Sequence, residues 1–128
     1  MNRPAGAPMI VALAGVADLV LVLVFVLIGR GSHDEGFTIL GSLNTAWPFV
    51  VGLAIGWLVT RAWRFPRGVT YPGVVIWAST AVIGVALRAI SGQGIAVSFM
   101  IVTAIVLAVF LLGWRLIAAA VSRRRARR

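Results

Sequence analysis

The sequence predicts an all-α polytopic membrane protein, with four transmembrane helices in an up-down bundle and both termini in the cytoplasm. Two observations predict this fold class. Four apolar stretches, at residues 9–28, 37–59, 72–90 and 95–117, each have about the 20 residues that cross a hydrocarbon core. Ten of the twelve arginines lie before the first stretch, between the second and third, or after the fourth, and only Arg30 and Arg88 lie at the opposite ends. Because arginine-rich loops stay in the cytoplasm, this asymmetry predicts one orientation.

Composition supports a single integral membrane domain over residues 1–128, ending in a basic tail at 118–128. Hydrophobic residues make up 61% of the chain and charged residues 12%, whereas soluble domains carry about 25% charged residues. The net charge of +9 follows the positive-inside pattern, so we expect anionic lipid headgroups rather than nucleic acid as its partner. The use of arginine without lysine is typical of a GC-rich bacterial genome. The predicted location is the bacterial inner membrane.

Each stretch is predicted to be a retained helix. The first is too long for the core of a signal peptide, and the following GRGSHDEG lacks a small-residue cleavage site. The second contains Pro48, which removes one helical hydrogen bond. The third begins at Pro72, a favoured first-turn position. The turn at 91–94 is short, which predicts that helices 3 and 4 are neighbours.

Asp18 is the sharpest candidate for function, because it lies halfway along the first stretch. A carboxylate at that depth costs about 3 kcal/mol on insertion scales, so it should be protonated, paired or facing a wet cavity. Two interpretations stay open. Asp18 serves ion or substrate movement, or it ties helices together by hydrogen bonds.

Depth along the helices suggests partners for Asp18. Counting about 1.5 Å per residue, Asn44 and Arg88 lie further toward the outer face, which predicts a buried polar ladder of Asp18, Asn44 and Arg88. Thr80, Gly84 and Arg88 share one face of helix 3, and Gly84 is expected to leave space below the arginine. The outer mouth of this ladder is predicted to contain three loop residues: Arg30, His33 and Asp34.

Aromatic and basic residues near the predicted membrane–water interface fit the same topology. Four aromatic residues near the cytoplasmic side predict an anchoring belt: Trp57, Trp63, Tyr71 and Trp114. Six arginines are predicted to contact lipid headgroups: Arg61, Arg64, Arg67, Arg123, Arg124 and Arg125.

Small residues recur at helical spacing. Gly52 and Gly56 form a GxxxG step, and Thr80 and Gly84 form a second step of small residues. Such steps let helix backbones approach closely. They favour packing within the bundle, with contact to another protein as the alternative.

The order of rare polar and aromatic residues resembles a bacterial family of small four-helix membrane proteins, the domain of unknown function 3054, which is common in actinobacteria. The matching features are Asp18, GRGSH at 29–33, TAWPF at 45–49, Gly56–Trp57, Trp63 with Pro66, W-x-x-T-x-x-x-G-x-x-x-R from Trp77 to Arg88, and Trp114–Arg115. The resemblance spans about residues 9–117. It implies fold and location but no activity.

No catalytic residues, metal site or cofactor are predicted. With one histidine and no cysteine, the chain is short of zinc ligands and has no thiol nucleophile, so we do not expect an enzyme. The first function class is an accessory subunit packed against a larger membrane complex. The alternative is a small proton- or ion-coupled transporter or channel that uses Asp18, by analogy with small multidrug exporters. Those exporters pair subunits in opposite orientations, whereas the arginine bias here predicts a parallel homo-oligomer if one forms.

Overall fold

The computed structural model describes residues 7–32, 38–93 and 96–126. Within these ranges the chain forms helices and turns and no strand. The helices are α1 (Ala7–Ser32), α2 (Ile39–Thr60), α3 (Val74–Ile90), α4 (Val97–Leu107) and α5 (Gly113–Ala126). A π-helical turn at Ala108–Leu112 joins α4 to α5, and together they form one continuous rod, Val97–Ala126, called here the fourth rod.

Four helical segments are long and apolar enough to cross a membrane: Pro8–Arg30, Ile39–Thr60, Val69–Ile90 and Val97–Ala126. The prediction of an all-helical chain with four membrane-length helices is therefore confirmed. Each helix contacts the next along the chain, and the fourth rod returns to contact α1, which closes the ring. Trp77 of α3 donates to the carbonyl of Ala104 in α4 at 2.9 Å, as expected for neighbouring helices.

Two helix boundaries differ clearly from the sequence prediction. α1 runs from Ala7 to Ser32, beyond the predicted 9–28 at both ends. The fourth helix was predicted to end at residue 117, but it continues to Ala126, so most of the predicted basic tail is helical. The physical reason is that AAAVSRRRA, at 118–126, contains good helix formers and neither glycine nor proline.

The closest helix pair is α2 with α3, and glycine makes the approach possible. A Cβ atom on Gly52 would lie 2.8 Å from the Ser79 carbonyl oxygen, and one on Gly56 would lie 3.0 Å from Ile76 Cα. The hydroxyl of Ser79 donates to the Gly52 carbonyl at 2.7 Å across this contact. Thr80 is buried in the same seam. The small-residue steps therefore serve packing inside the bundle, which is the first of the two uses expected from the sequence.

Gly84 serves packing in a different way from the one expected. The sequence suggested an open space below Arg88, but the ring of Phe49 fills it, and a Cβ on Gly84 would lie 2.8 Å from Phe49 Cε1. Phe49 is fully buried and packs edge-to-face on Phe25 of α1, with ring centroids 5.3 Å apart. An apolar side chain occupies the place of the predicted polar gap because a glycine cannot fill that volume itself.

Candidate functional site: a buried ion-pair cluster and an arginine-lined cleft

Asp18 and Arg115 form a buried ion pair inside the bundle. Asp18 lies on α1, Arg115 lies on α5, and both side chains are 0% exposed. Arg115 Nη2 lies 2.7 Å from Asp18 Oδ2, and Nη1 lies 2.8 Å from Oδ1. The contact is therefore bidentate, the geometry in which guanidinium and carboxylate bind most strongly.

Two indole groups complete the environment of the carboxylate. Trp57 Nε1 donates to Asp18 Oδ2 and Trp114 Nε1 donates to Oδ1, each at 2.8 Å. An ionised carboxylate offers about four acceptor positions, and these two indoles and the bidentate arginine occupy four. We call Asp18, Arg115, Trp57 and Trp114 the Asp18 cluster. Its carboxylate is saturated with donors.

Arg115 ties this cluster to the loop after α2. Its Nε donates to the carbonyl of Pro66 at 3.0 Å, and Nη1 also donates to the carbonyl of Leu111, one turn earlier, at 2.9 Å. The guanidinium carbon lies 4.5 Å from the ring centroid of Trp114. One side chain thus joins α1, α5 and the loop at 61–68.

Local sequence explains how the cluster fits. A Cβ on Gly73 would lie 3.0 Å from Arg115 Cδ, so the glycine gives room for the arginine stem. The ring of Trp57 passes over Gly15, one turn before Asp18, at 3.9 Å from the position of a Cβ there. The π-helical turn at Ala108–Leu112 immediately precedes the Trp114–Arg115 pair. Such turns are frequent where a helix re-aims side chains at a functional site.

The predicted ladder of Asp18, Asn44 and Arg88 does not form. Asp18 pairs with Arg115 instead. Asn44 is exposed, and its backbone carbonyl accepts from Gln93 Nε2 at 3.2 Å. The sequence prediction ended helix 4 two residues after Arg115 and did not consider this arginine as a buried partner. In the structure the fourth rod continues for eleven residues after Arg115, to Ala126, and the arginine side chain is fully buried.

The predicted aromatic belt is also only partly a surface feature. Trp63 and Tyr71 are exposed, at 39% and 53%. Trp57 and Trp114 instead turn their indole nitrogens inward to Asp18. Sequence reasoning missed Arg115 as a site residue. A buried acid requires a buried partner, but this requirement alone does not distinguish Arg115 from Arg88.

A separate cleft lies at the other end of α1. It has a volume of about 180 Å³ and is lined by two arginines and three aromatic rings: Arg30, Arg88, Phe25, Phe49 and Phe99. All four membrane-length segments contribute to its wall. Arg30 lies twelve residues after Asp18 on α1, roughly 18 Å along the helix, so this cleft is distinct from the Asp18 cluster.

Both arginines of the cleft are oriented by neighbouring groups. Arg30 Nη1 donates to the Gly41 carbonyl at 3.0 Å and to Thr45 Oγ1 at 2.8 Å. Arg88 Nη1 donates to Gln93 Oε1 at 3.3 Å, and Nη2 donates to the Gln93 backbone carbonyl at 3.4 Å. The guanidinium carbon of Arg88 lies 4.6 Å from the ring centroid of Phe99. Each arginine makes at least one contact beyond these. Of the three residues predicted for the outer mouth, Arg30 lines this cleft, and His33 and Asp34 lie outside the described residues.

The arginines predicted to contact lipid headgroups are all exposed: Arg61, Arg64, Arg67, Arg123, Arg124 and Arg125. They lie in the loop after α2 and on the last turns of α5. We call this the basic end of the bundle. The described residues contain no group of three metal-ligating side chains.

The model of the protein family DUF3054, described as a protein of unknown function, matches residues 15–118. The chain belongs to this family. The matched segment contains every residue of the Asp18 cluster and both arginines of the cleft. The resemblance seen in the sequence is therefore confirmed for this DUF3054 protein. No curated protein and no solved structure matches the chain.

Proposed function

We propose that this DUF3054 protein is an accessory subunit of a larger complex in the bacterial inner membrane, with both termini in the cytoplasm and no catalytic step of its own. The observation that carries the proposal is the fourth rod. It has 30 residues, against 22 or 23 for the other three segments. In its most apolar 18-residue stretch only 17% of the residues are buried, against 28–33% in the corresponding stretches of the other three segments. Eight extra residues add roughly 12 Å of helix.

This rod combines a fixed inner side with an open outer side. Arg115 anchors it to α1 and to the 61–68 loop. Its outward residues are apolar from Met100 to Val121 and are followed, after Ser122, by Arg123, Arg124 and Arg125. Such a rod suits a partner that packs against an apolar helix within the membrane and presents acidic groups beyond it.

The arginine distribution supports the orientation. Arg115 is neutralised by Asp18. Of the other eleven arginines, nine come before the first apolar segment, between the second and third, or after the fourth in the sequence, and two lie at the opposite ends of the segments. The positive-inside rule then directs the basic end to the cytoplasm, where the exposed arginines meet anionic headgroups.

The orientation is tested by cysteine labelling, since the chain has no cysteine of its own. We expect Ser91→Cys to react with a membrane-impermeant maleimide on intact cells, and Arg64→Cys to react only after lysis. Both residues are exposed, so access to the side chain is matched. The reverse pattern would contradict the proposed orientation.

The subunit role is tested by photo-crosslinking in native membranes. A photoreactive residue replaces Ile105 or Ile117 on the fourth rod, and the control replaces Val20, which is similarly exposed on α1. We expect a stoichiometric protein adduct from the rod positions alone, and loss of that partner's assembly when this chain is deleted. A monomer or homo-oligomer without position-dependent adducts would contradict the proposal.

The alternative, a proton- or ion-coupled transporter built on Asp18, has weaker support. A carboxylate that already accepts from four donors must break several bonds before it can exchange a proton or bind a cation. Reconstituted flux separates the two functions. Flux that depends on a pH gradient and disappears in a folded Asp18→Asn/Arg115→Gln variant would favour transport over the subunit role.

A further inference from the structure

We propose that the cleft between Arg30 and Arg88 binds an organic oxyanion, a carboxylate or phosphate that carries a compact apolar group. This site lies apart from the fourth rod's outer face and does not depend on the subunit role. The inference rests on the charge, the orientation and the shape of the cleft.

The charge of the cleft favours an anion. Two guanidinium groups from different helices, α1 and α3, line it, and the part of the lining that the structure describes contains no acid. Guanidinium groups bind carboxylate and phosphate oxygens with paired hydrogen bonds. Each guanidinium also makes at least one contact beyond those named above, and its five N–H donors can serve several acceptors at once.

The two arginines are also positioned before any ligand arrives. Thr45 Oγ1 and the Gly41 carbonyl hold Arg30, while Gln93 and the Phe99 ring hold Arg88. Charged donors that are already oriented lose less conformational freedom on binding than mobile surface arginines.

Shape selects the rest of the ligand. The volume of about 180 Å³ slightly exceeds the roughly 150 Å³ of an engineered cavity that holds benzene. The rings of Phe25, Phe49 and Phe99 face this space, so a group of about the size of one ring fits among them. The oxyanion has two natural sources, a free small acid or the headgroup of an anionic lipid, and both share this chemistry.

Calorimetric titration of the full chain in phosphatidylcholine nanodiscs tests the proposal. Benzoate is the probe, and benzamide and benzylamine are matched neutral and cationic controls. We expect saturable one-to-one binding of benzoate and at least tenfold weaker binding of both controls. Equal binding of benzamide would overturn the role of the arginines.

Variants then locate the site. Arg88→Gln should weaken benzoate binding by about 10- to 100-fold, as expected when hydrogen bonds to a charged group are lost. Arg64→Gln removes the same charge from an exposed position at the basic end and should leave binding unchanged. If Arg88→Gln lacks native helix content, Arg88→Lys takes its place, with an expected loss of about tenfold because the ammonium lacks the planar fork.

A lipid arm distinguishes the two sources. If benzoate does not bind, mass spectrometry of the protein extracted from phosphatidylglycerol membranes should show retained phosphatidylglycerol that Arg88→Gln loses and that Ser122→Ala, an exposed substitution on α5, keeps. That result would assign the site to a lipid headgroup. Binding of neither probe, or equal losses in both variants, would overturn the proposal.

Discussion

The substitution Asp18→Asn tests how the bundle is held together. The wild-type carboxylate accepts from Trp57, Trp114 and twice from Arg115. Asparagine keeps the shape but replaces one oxygen by an NH2 group. In either orientation of the amide, its NH2 group faces one indole N–H and one guanidinium N–H. Both contacts then bring two donors together, so two of the four hydrogen bonds are lost. The positive charge of Arg115 is then buried without an anion.

The expected loss of stability is large. Removing one partner of a buried ion pair costs about 3–5 kcal/mol, because the remaining charge stays desolvated. The assay is reversible unfolding in mixed micelles of mild detergent and SDS, followed by tryptophan fluorescence. Trp57 and Trp114 report directly on the cluster because they contact Asp18.

A double-mutant cycle separates the pair from general damage. We expect Asp18→Asn/Arg115→Gln to lose less free energy of unfolding than the sum of the single variants, with a coupling of about 2–3 kcal/mol. Arg64→Gln, which removes an exposed arginine, should stay within about 0.5 kcal/mol of the wild type. Additive single effects, or a loss below about 1 kcal/mol for Asp18→Asn, would refute the reasoning.

Three further predictions use the same unfolding assay. Gly52→Ala should lose about 1–3 kcal/mol of unfolding free energy, because its Cβ would lie 2.8 Å from a backbone oxygen of α3. Gly113→Ala is the control: its Cβ would have no atom within 4 Å, so it should be neutral or stabilising. Equal effects of the two substitutions would contradict the close packing of α2 on α3. Trp114→Phe should lose about 1.5 kcal/mol with its hydrogen bond to Asp18, and an unchanged midpoint would argue against that bond. Ser79→Ala should lose about 0.6 kcal/mol, the typical value for a hydrogen bond between membrane helices, and a gain in stability would contradict the contact with Gly52.

The helices were predictable because membrane-length apolar runs leave few alternatives for the backbone. In the absence of water, a spanning segment must satisfy its own N–H and C=O groups, and the four runs therefore had to be helical. The glycines at 52 and 56 also carried readable information, because only small residues permit the observed approach of α2 and α3.

The partner of Asp18 was not predictable from depth alone. Estimates of depth depend on where each helix ends, and the end of the fourth helix was placed nine residues too early, at 117 rather than Ala126. That error put Arg115 at a helix end, where a buried partner was not expected, and left Arg88 as the predicted buried cation. Trp57 and Trp114 misled for a related reason, since an interfacial tryptophan and one that turns its indole inward look the same in sequence.

The central claim is that Asp18 is an ionised carboxylate bound to Arg115. Solid-state NMR of bilayer samples tests it with carbon-13 aspartate and nitrogen-15 arginine, in an Asp34→Asn background that leaves Asp18 as the one labelled aspartate. The account predicts an ionised carboxyl shift and strong dipolar dephasing by guanidinium nitrogens, consistent with N–O distances of 2.7 and 2.8 Å. A protonated carboxyl shift, or dephasing that Arg115→Gln leaves unchanged, would contradict it.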